Sequence, residues 1–171
     1  MYKKPITILG INPGTKYMAV ALFRESDLRE WSVKVFKGKW STEKMKKIIT
    51  VIDGIISRYD VTILTVKKLH SARSSRQLNL LVKKMKNMAK RRKLKVHEYS
   101  IKQLEQSLCP GEKGNKKKLA EKVVRDYPVL SHELEKEKTH RNAYYIRLFE
   151  AVALGSVYHS KLNEPKSFNN Q

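Results

Sequence analysis

An α/β domain with a mixed sheet and helices on both faces is the fold class this sequence predicts. Three features carry that prediction: short apolar runs in the first third, a switch to helical periodicity from Met45, and later strands that each follow a helix. Three meander strands cannot complete a parallel crossover, whereas a strand that follows a helix can, so the sheet is expected to be mixed.

The elements follow in order. Ile6 to Ile11 is a compact apolar run that stops at the turn signal Asn12-Pro13-Gly14. Met18 to Phe23 is a second run, and Trp31, Val33 and Val35 alternate in a third. Short turns join the three into a meander. Met45, Ile48, Ile49, Ile52, Ile55, Ile56 and Tyr59 then recur at helical spacing, giving one long apolar stripe. Val61 to Val66 is apolar and β-branched between Asp60 and Lys67, as a buried strand is. Leu78, Leu81, Val82, Met85 and Met88 mark one face of a second helix, and Val96 to Tyr99 a short fifth strand. Ser100-Ile101-Lys102-Gln103 has capping-box spacing and starts a third helix. Residues 110–115 read as a loop, and Lys116 to Tyr127 resumes helical spacing through Leu119, Val123 and Val124. Asn142 to about Ser160 is apolar on most sides, which suits a helix packed on the sheet. A chain of 171 residues without repeat or linker gives one domain, residues 1–163, and a flexible tail, residues 164–171.

Charge narrows the function classes. The chain has 37 Lys and Arg against 16 Asp and Glu, a formal net charge of +21. No acid occurs between Val61 and His97, a segment dense in lysine and arginine. Such a field draws polyanions and makes their binding salt-dependent. A lysine-rich solvated surface is the plainer alternative, but acid-free clustering differs from the interspersed charges of such a surface. No apolar run spans a bilayer, and the basic segment lacks the Trp or Phe of an interfacial anchor, so no membrane partner is expected. The start, Met1 to Pro5, leads into a strand without a signal-peptide pattern. Cys109 is the only cysteine, so no internal disulfide can form and a cytoplasmic protein is expected. With no histidine placed beside it by any motif, Cys109 is a poor candidate nucleophile. His70, His97, His132, His140 and His159 show no metal-ligand spacing.

The segment Ile8-Leu9-Gly10-Ile11-Asn12-Pro13-Gly14-Thr15 resembles the first-strand signature of the RuvC-type Holliday-junction resolvases, in which an apolar strand runs into Gly-Ile-Asp-Pro-Gly. The strand order, Val96 to Leu108, Pro110 to Leu119 and the closing Glu150-Ala151-Val152-Ala153-Leu154 are similar to that family too, so the resemblance covers roughly residues 6–160. It implies an RNase H-like (RuvC-like) five-stranded mixed sheet with helices on both faces. It also implies phosphodiester hydrolysis by two Mg²⁺ ions held on carboxylates. Transferred by motif, the family's four acidic positions are Asn12, Lys67, Arg147 and Glu150, and only Glu150 is an acid. At an effective dielectric of about 20, each cation near a metal site costs a divalent ion on the order of several kcal/mol. No intact catalytic set, no metal site and no cofactor are therefore expected, Mg²⁺ being implied only if the chain is an active nuclease.

Each residue has a plainer reading. Asn12-Pro13-Gly14 is also an ordinary turn signal, and Lys67 and Lys68 also suit solvated strand-end charges. Glu150, inside an apolar stretch, needs a partner, and Arg147 one turn away is the expected one. For nucleic acid, the resemblance points to the loop after the fourth strand, with Lys67, Lys68, His70, Arg73 and Arg76. It also points to a basic loop of Lys113, Lys116, Lys117 and Lys118, and the acid-free segment adds Lys83 and Lys84. Lysines meet phosphate as point charges, so shape-selective or non-specific binding is expected. Three functions follow: a non-catalytic protein that binds branched or structured DNA or RNA, branched DNA favoured and a homodimer possible; an active nuclease with ligands such as Asp53, Asp60 or Glu98; or a structural RNA- or protein-binding component of a larger assembly.

Overall fold

The computed structural model describes residues 3–140 and 143–164. Five strands, β1 (Thr7–Asn12), β2 (Tyr17–Arg24), β3 (Asp27–Val35), β4 (Ile63–Lys67) and β5 (Lys95–Tyr99), form one sheet in the order β3-β2-β1-β4-β5. The meander pairs are antiparallel, and β4 lies parallel to both β1 and β5. The helices are α1 (Thr42–Tyr59), α2 (Arg76–Arg91), α3 (Ile101–Leu108), α4 (Lys116–Asp126), α5 (Ser131–His140) and α6 (Ala143–Leu162), with a 3-10 turn at Pro128–Leu130.

Local chemistry sets the helix starts. Ser41, Ser75 and Asn115 each accept a backbone N–H from the first turn of α1, α2 and α4. Ser100 and Gln103 close a full capping box on α3. Helix α1 stops at Asp60, whose left-handed backbone (φ 51°) turns the chain into β4.

Strand alternation builds two cores. Leu9, Ile11, Leu64 and Val66 face α1 and α2. Ile8 and Ile63 face the opposite side, where α3, α4 and α6 pack. Helix α6 crosses β1, β2, β3 and β4 and is covered in turn by α3, α4 and α5. That explains its apolar character on nearly all sides: it is an interior helix. It also lies unusually close to the sheet. A Cβ on Gly10 would sit 2.4 Å from the Ala151 carbonyl oxygen, and one on Gly155 would sit 2.3 Å from the Phe23 ring. Two missing side chains thus seat this helix.

Several expectations need correction. Strand β3 begins at Asp27, before the Trp31 alternation, and Val35 is exposed rather than part of a buried face. Strand β4 begins at Ile63 and includes Lys67, which is a strand residue and not a flank. The 3-10 turn and α5 are not expected from the sequence pattern. Helix α5 has no apolar stripe and meets the core through Leu134, while Trp31 Nε1 donates to Glu133. The tail expected from residue 164 lies, apart from Glu164, outside the described residues, as does Asn142.

Gly10→Ala should lower the free energy of unfolding by about 1–3 kcal/mol, because the added methyl meets backbone that can yield only if α6 shifts. Urea denaturation measures it, and an unchanged midpoint would show that α6 is not held at this distance.

Candidate functional site

The two central parallel strands carry the site. Their register pairs Ile8 with Ile63 and Ile11 with Val66, and the same offset sets Asn12 level with Lys67. Alternation then turns both side chains to the α6 face, because Ile8 and Ile63, an even number of residues back, point that way. The close seat of α6 on Gly10 brings Glu150 to the same place.

Glu150 is buried (2% exposed). Its Oε2 accepts from Asn12 Nδ2 at 2.7 Å and from the Lys67 ammonium at 2.7 Å. Asn12 Nδ2 also donates to the Arg147 backbone carbonyl at 3.3 Å. Asn12 is itself buried, so it ends β1 inside the protein and is not a solvated turn residue. Among the described residues Oε1 of Glu150 has no hydrogen-bond partner, and the Lys116 ammonium stands 3.9 Å away, within ion-pair range yet beyond hydrogen-bond distance. The Lys67 side chain is 22% exposed and that of Lys116 60%, so the site opens to solvent through its two lysines.

The side chains of Asn12, Lys67 and Glu150 therefore converge, with Arg147 joining them through its backbone carbonyl, and one expectation needs correction. Glu150 is paired with Lys67 and not with Arg147. The Arg147 guanidinium turns away, its Nη1 3.5 Å from the Tyr17 carbonyl and beside Gly14, where no side chain competes for the space. Strand parity places an ammonium directly on the carboxylate, and Arg147 is left to brace the hairpin between β1 and β2.

The donor set does not fit a pair of Mg²⁺ ions. A two-metal centre needs several anionic oxygens converging on it, whereas here one carboxylate faces the ammonium of Lys67, with that of Lys116 beside it. The other carboxylates considered lie elsewhere. Asp53 pairs with Arg92 at 2.6 Å, Glu98 pairs with Lys86 at 2.5 Å, and Asp60 caps α1. Among the described residues no group of three or more His, Cys, Asp and Glu is arranged to hold a metal ion. Burial, and then Glu112, pushes the Cys109 thiol up, which weakens it further as a nucleophile.

The basic residues fall into separate places. Lys113, Lys116, Lys117 and Lys118 are exposed at the start of α4, on the α6 side, and Lys116 reaches the site. Lys68, His70, Arg73 and Arg76 are exposed along the segment that leaves β4 next to Lys67. Lys83 and Lys84 are exposed on α2, in the layer on the other side of the sheet. Sequence reasoning includes Lys116 among the phosphate contacts but misses its approach to Glu150, since no local spacing links residues 116 and 150.

The family model for the crossover junction endodeoxyribonuclease RuvC matches residues 8–138. No curated protein matches the chain in sequence. Among solved structures it is similar to Thermus thermophilus RuvC, both free (TM-score 0.70) and in complex with Holliday junction substrate (TM-score 0.69). Both are 15% identical, over 92% of this chain and 96% of that one. It is also similar to the Fowlpox virus resolvase solved with substrate Holliday junction DNA, at 15% identity and a TM-score of 0.59, over 93% of this chain and 100% of that one. These likenesses establish the RuvC-like RNase H fold. The matched segment ends before α6, the helix that carries Glu150.

Lys67→Met would strand a buried carboxylate and should cost about 3 kcal/mol, reduced from the cost of a fully buried pair by the partial exposure of Lys67. Adding Glu150→Gln should recover most of that loss. A double-mutant cycle in urea measures the coupling, and strictly additive losses would show that the two groups do not interact.

Proposed function

The chain belongs to the RuvC family, and on that premise we propose that it is a non-catalytic nucleic-acid-binding protein that recognises branched DNA through its basic surface. One observation carries the reading: the Lys67 ammonium lies 2.7 Å from the carboxylate of Glu150, the one acid among the four aligned positions where β1, β4 and α6 converge. Hydrolysis needs a hydroxide and a leaving oxygen, each stabilised by a metal. An ammonium in that position neutralises the carboxylate and repels a divalent cation, and it has no means of generating hydroxide at neutral pH. What survives is a positive surface around a preserved fold.

Branched DNA is favoured over duplex or RNA because the structural relatives were solved with Holliday junction DNA. A four-way junction has two-fold symmetry, which a homodimer matches. Recognition rests on shape and phosphate spacing, since the exposed residues beside the site are mainly lysines and arginines. We place this role in the cytoplasm, in keeping with a lone cysteine that can form no internal disulfide.

Affinity for a four-way junction should persist in EDTA and fall by about 10³ or more between low and moderate salt if some six phosphates are contacted. Fluorescence anisotropy over a salt series measures it, and an affinity indifferent to salt would point to a protein or small-molecule partner.

No incision of labelled junctions, flaps or duplexes should occur in Mg²⁺ or Mn²⁺, and Asn12→Asp alone should not restore it, because Lys67 still repels the metals. Metal-dependent, symmetric cuts that vanish in Glu150→Ala would overturn the non-catalytic reading.

A further inference from the structure

Resting on that reading, we propose that the degenerate centre is itself a metal-independent phosphate clamp. In it the Lys67 ammonium, held on one oxygen of Glu150, and the Lys116 ammonium, standing near the other, grip one backbone phosphodiester of the bound DNA. The proposal assigns the centre a ligand and gives Glu150 a positioning role.

The unspent donors carry the argument. An ammonium has three N–H groups. Lys67 commits one to Glu150 Oε2, the ammonium's one hydrogen bond among the described residues, and the side chain is 22% exposed. Lys116 stands 3.9 Å from Oε1, too far to spend a hydrogen bond, and is 60% exposed. Two ammoniums beside one carboxylate leave a local excess of one positive charge, which a monoanionic phosphodiester offsets.

Glu150 serves this arrangement. An exposed lysine must give up rotamer freedom when it grips a phosphate, and that entropy opposes binding. Lys67 is already fixed, by a short contact to a buried carboxylate that Asn12 holds from the other side. A pre-positioned ammonium grips phosphate without that loss. The position also suits a strand backbone, because it lies between the basic segment after β4 and the basic start of α4.

The test uses the full chain and a labelled four-way DNA junction in EDTA. Lys67→Gln combined with Glu150→Gln removes the ammonium and its anchor together, leaving net charge unchanged and an amide pair in the core. Its affinity should fall about tenfold, the loss expected for a charged hydrogen bond. Lys116→Ala should fall similarly and flatten the salt slope by about one unit, where Lys46→Ala, an equal charge change at an exposed position of α1, should fall much less. Replacing junction phosphates one at a time by neutral methylphosphonates should reveal one position, with its two-fold mate in a homodimeric complex, that weakens the wild type but not the K67Q/E150Q double variant. If both site variants keep wild-type affinity and no such position exists, the clamp is wrong while the binding reading stands. If the wild type does not bind the junction in EDTA, the binding reading itself fails. If binding requires Mg²⁺ and is lost in Glu150→Gln, the centre is a metal site and both fail. Preference for structured RNA of equal charge, with the same variants silent, would also overturn the clamp as a DNA device.

Discussion

Glu150 is taken out of water by a helix whose backbone rests on Gly10, and the arrangement of charge at the centre of this protein follows from that burial. A buried carboxylate must be paired or hydrogen-bonded. Helix α6 is buried on both sides, between the sheet and three smaller helices, and cannot rotate Glu150 to solvent without opening the core. The compensating groups must therefore come from the strands beneath. Strand parity makes only alternate residues available on that face, and at the ends of β1 and β4 these are Asn12 and Lys67. An amide donor and an ammonium meet on one oxygen as a result.

Much of this is legible in the sequence, for identifiable reasons. The α1 stripe, the Ser100 capping box and the apolar runs of β1, β2 and β4 are local patterns, and local patterns fix local structure. The convergence of Asn12, Lys67 and Glu150 is legible only through family resemblance, since no spacing relates residues 12, 67 and 150. The partner of Glu150 is misread from sequence because an i,i+3 neighbour looks favourable on an isolated helix. In the folded protein Arg147 reaches the space beside Gly14 and the Tyr17 carbonyl, while the neighbouring strand supplies the nearer cation. Helix α5 leaves no signal in the pattern because it is polar and meets the core through Leu134, so it has tertiary contacts in place of a stripe.

The basic surface divides by layer. Lysines of the α4 start and the segment leaving β4 border the strand ends, whereas those of α2 lie across the sheet. A charge of +21 draws a polyanion from any direction. Orientation must then come from groups fixed in space rather than from mobile side chains. Lys67 is the best-fixed cation near the strand ends, because its short contact is to a group that cannot move. The position of the Lys67 ammonium is therefore set by the acid that holds it.

The same contacts set what single substitutions toward a carboxylate cluster would cost. Asn12 donates to the oxygen that Lys67 also occupies. An aspartate at position 12 would set two carboxylates against each other with one ammonium between them, exchanging a donor for a like charge in a buried space. Removing Lys67 first would leave the buried Glu150 carboxylate with the neutral Asn12 donor and the solvent-exposed Lys116 ammonium at 3.9 Å, and without its hydrogen-bonded cation. Each single step toward a carboxylate cluster thus passes through a less stable protein, and only joint changes at 12 and 67 would avoid the loss. Among the described residues the buried side-chain polar atoms other than Oε1 of Glu150 are satisfied, and that one unpaired oxygen has the exposed Lys116 ammonium 3.9 Å away.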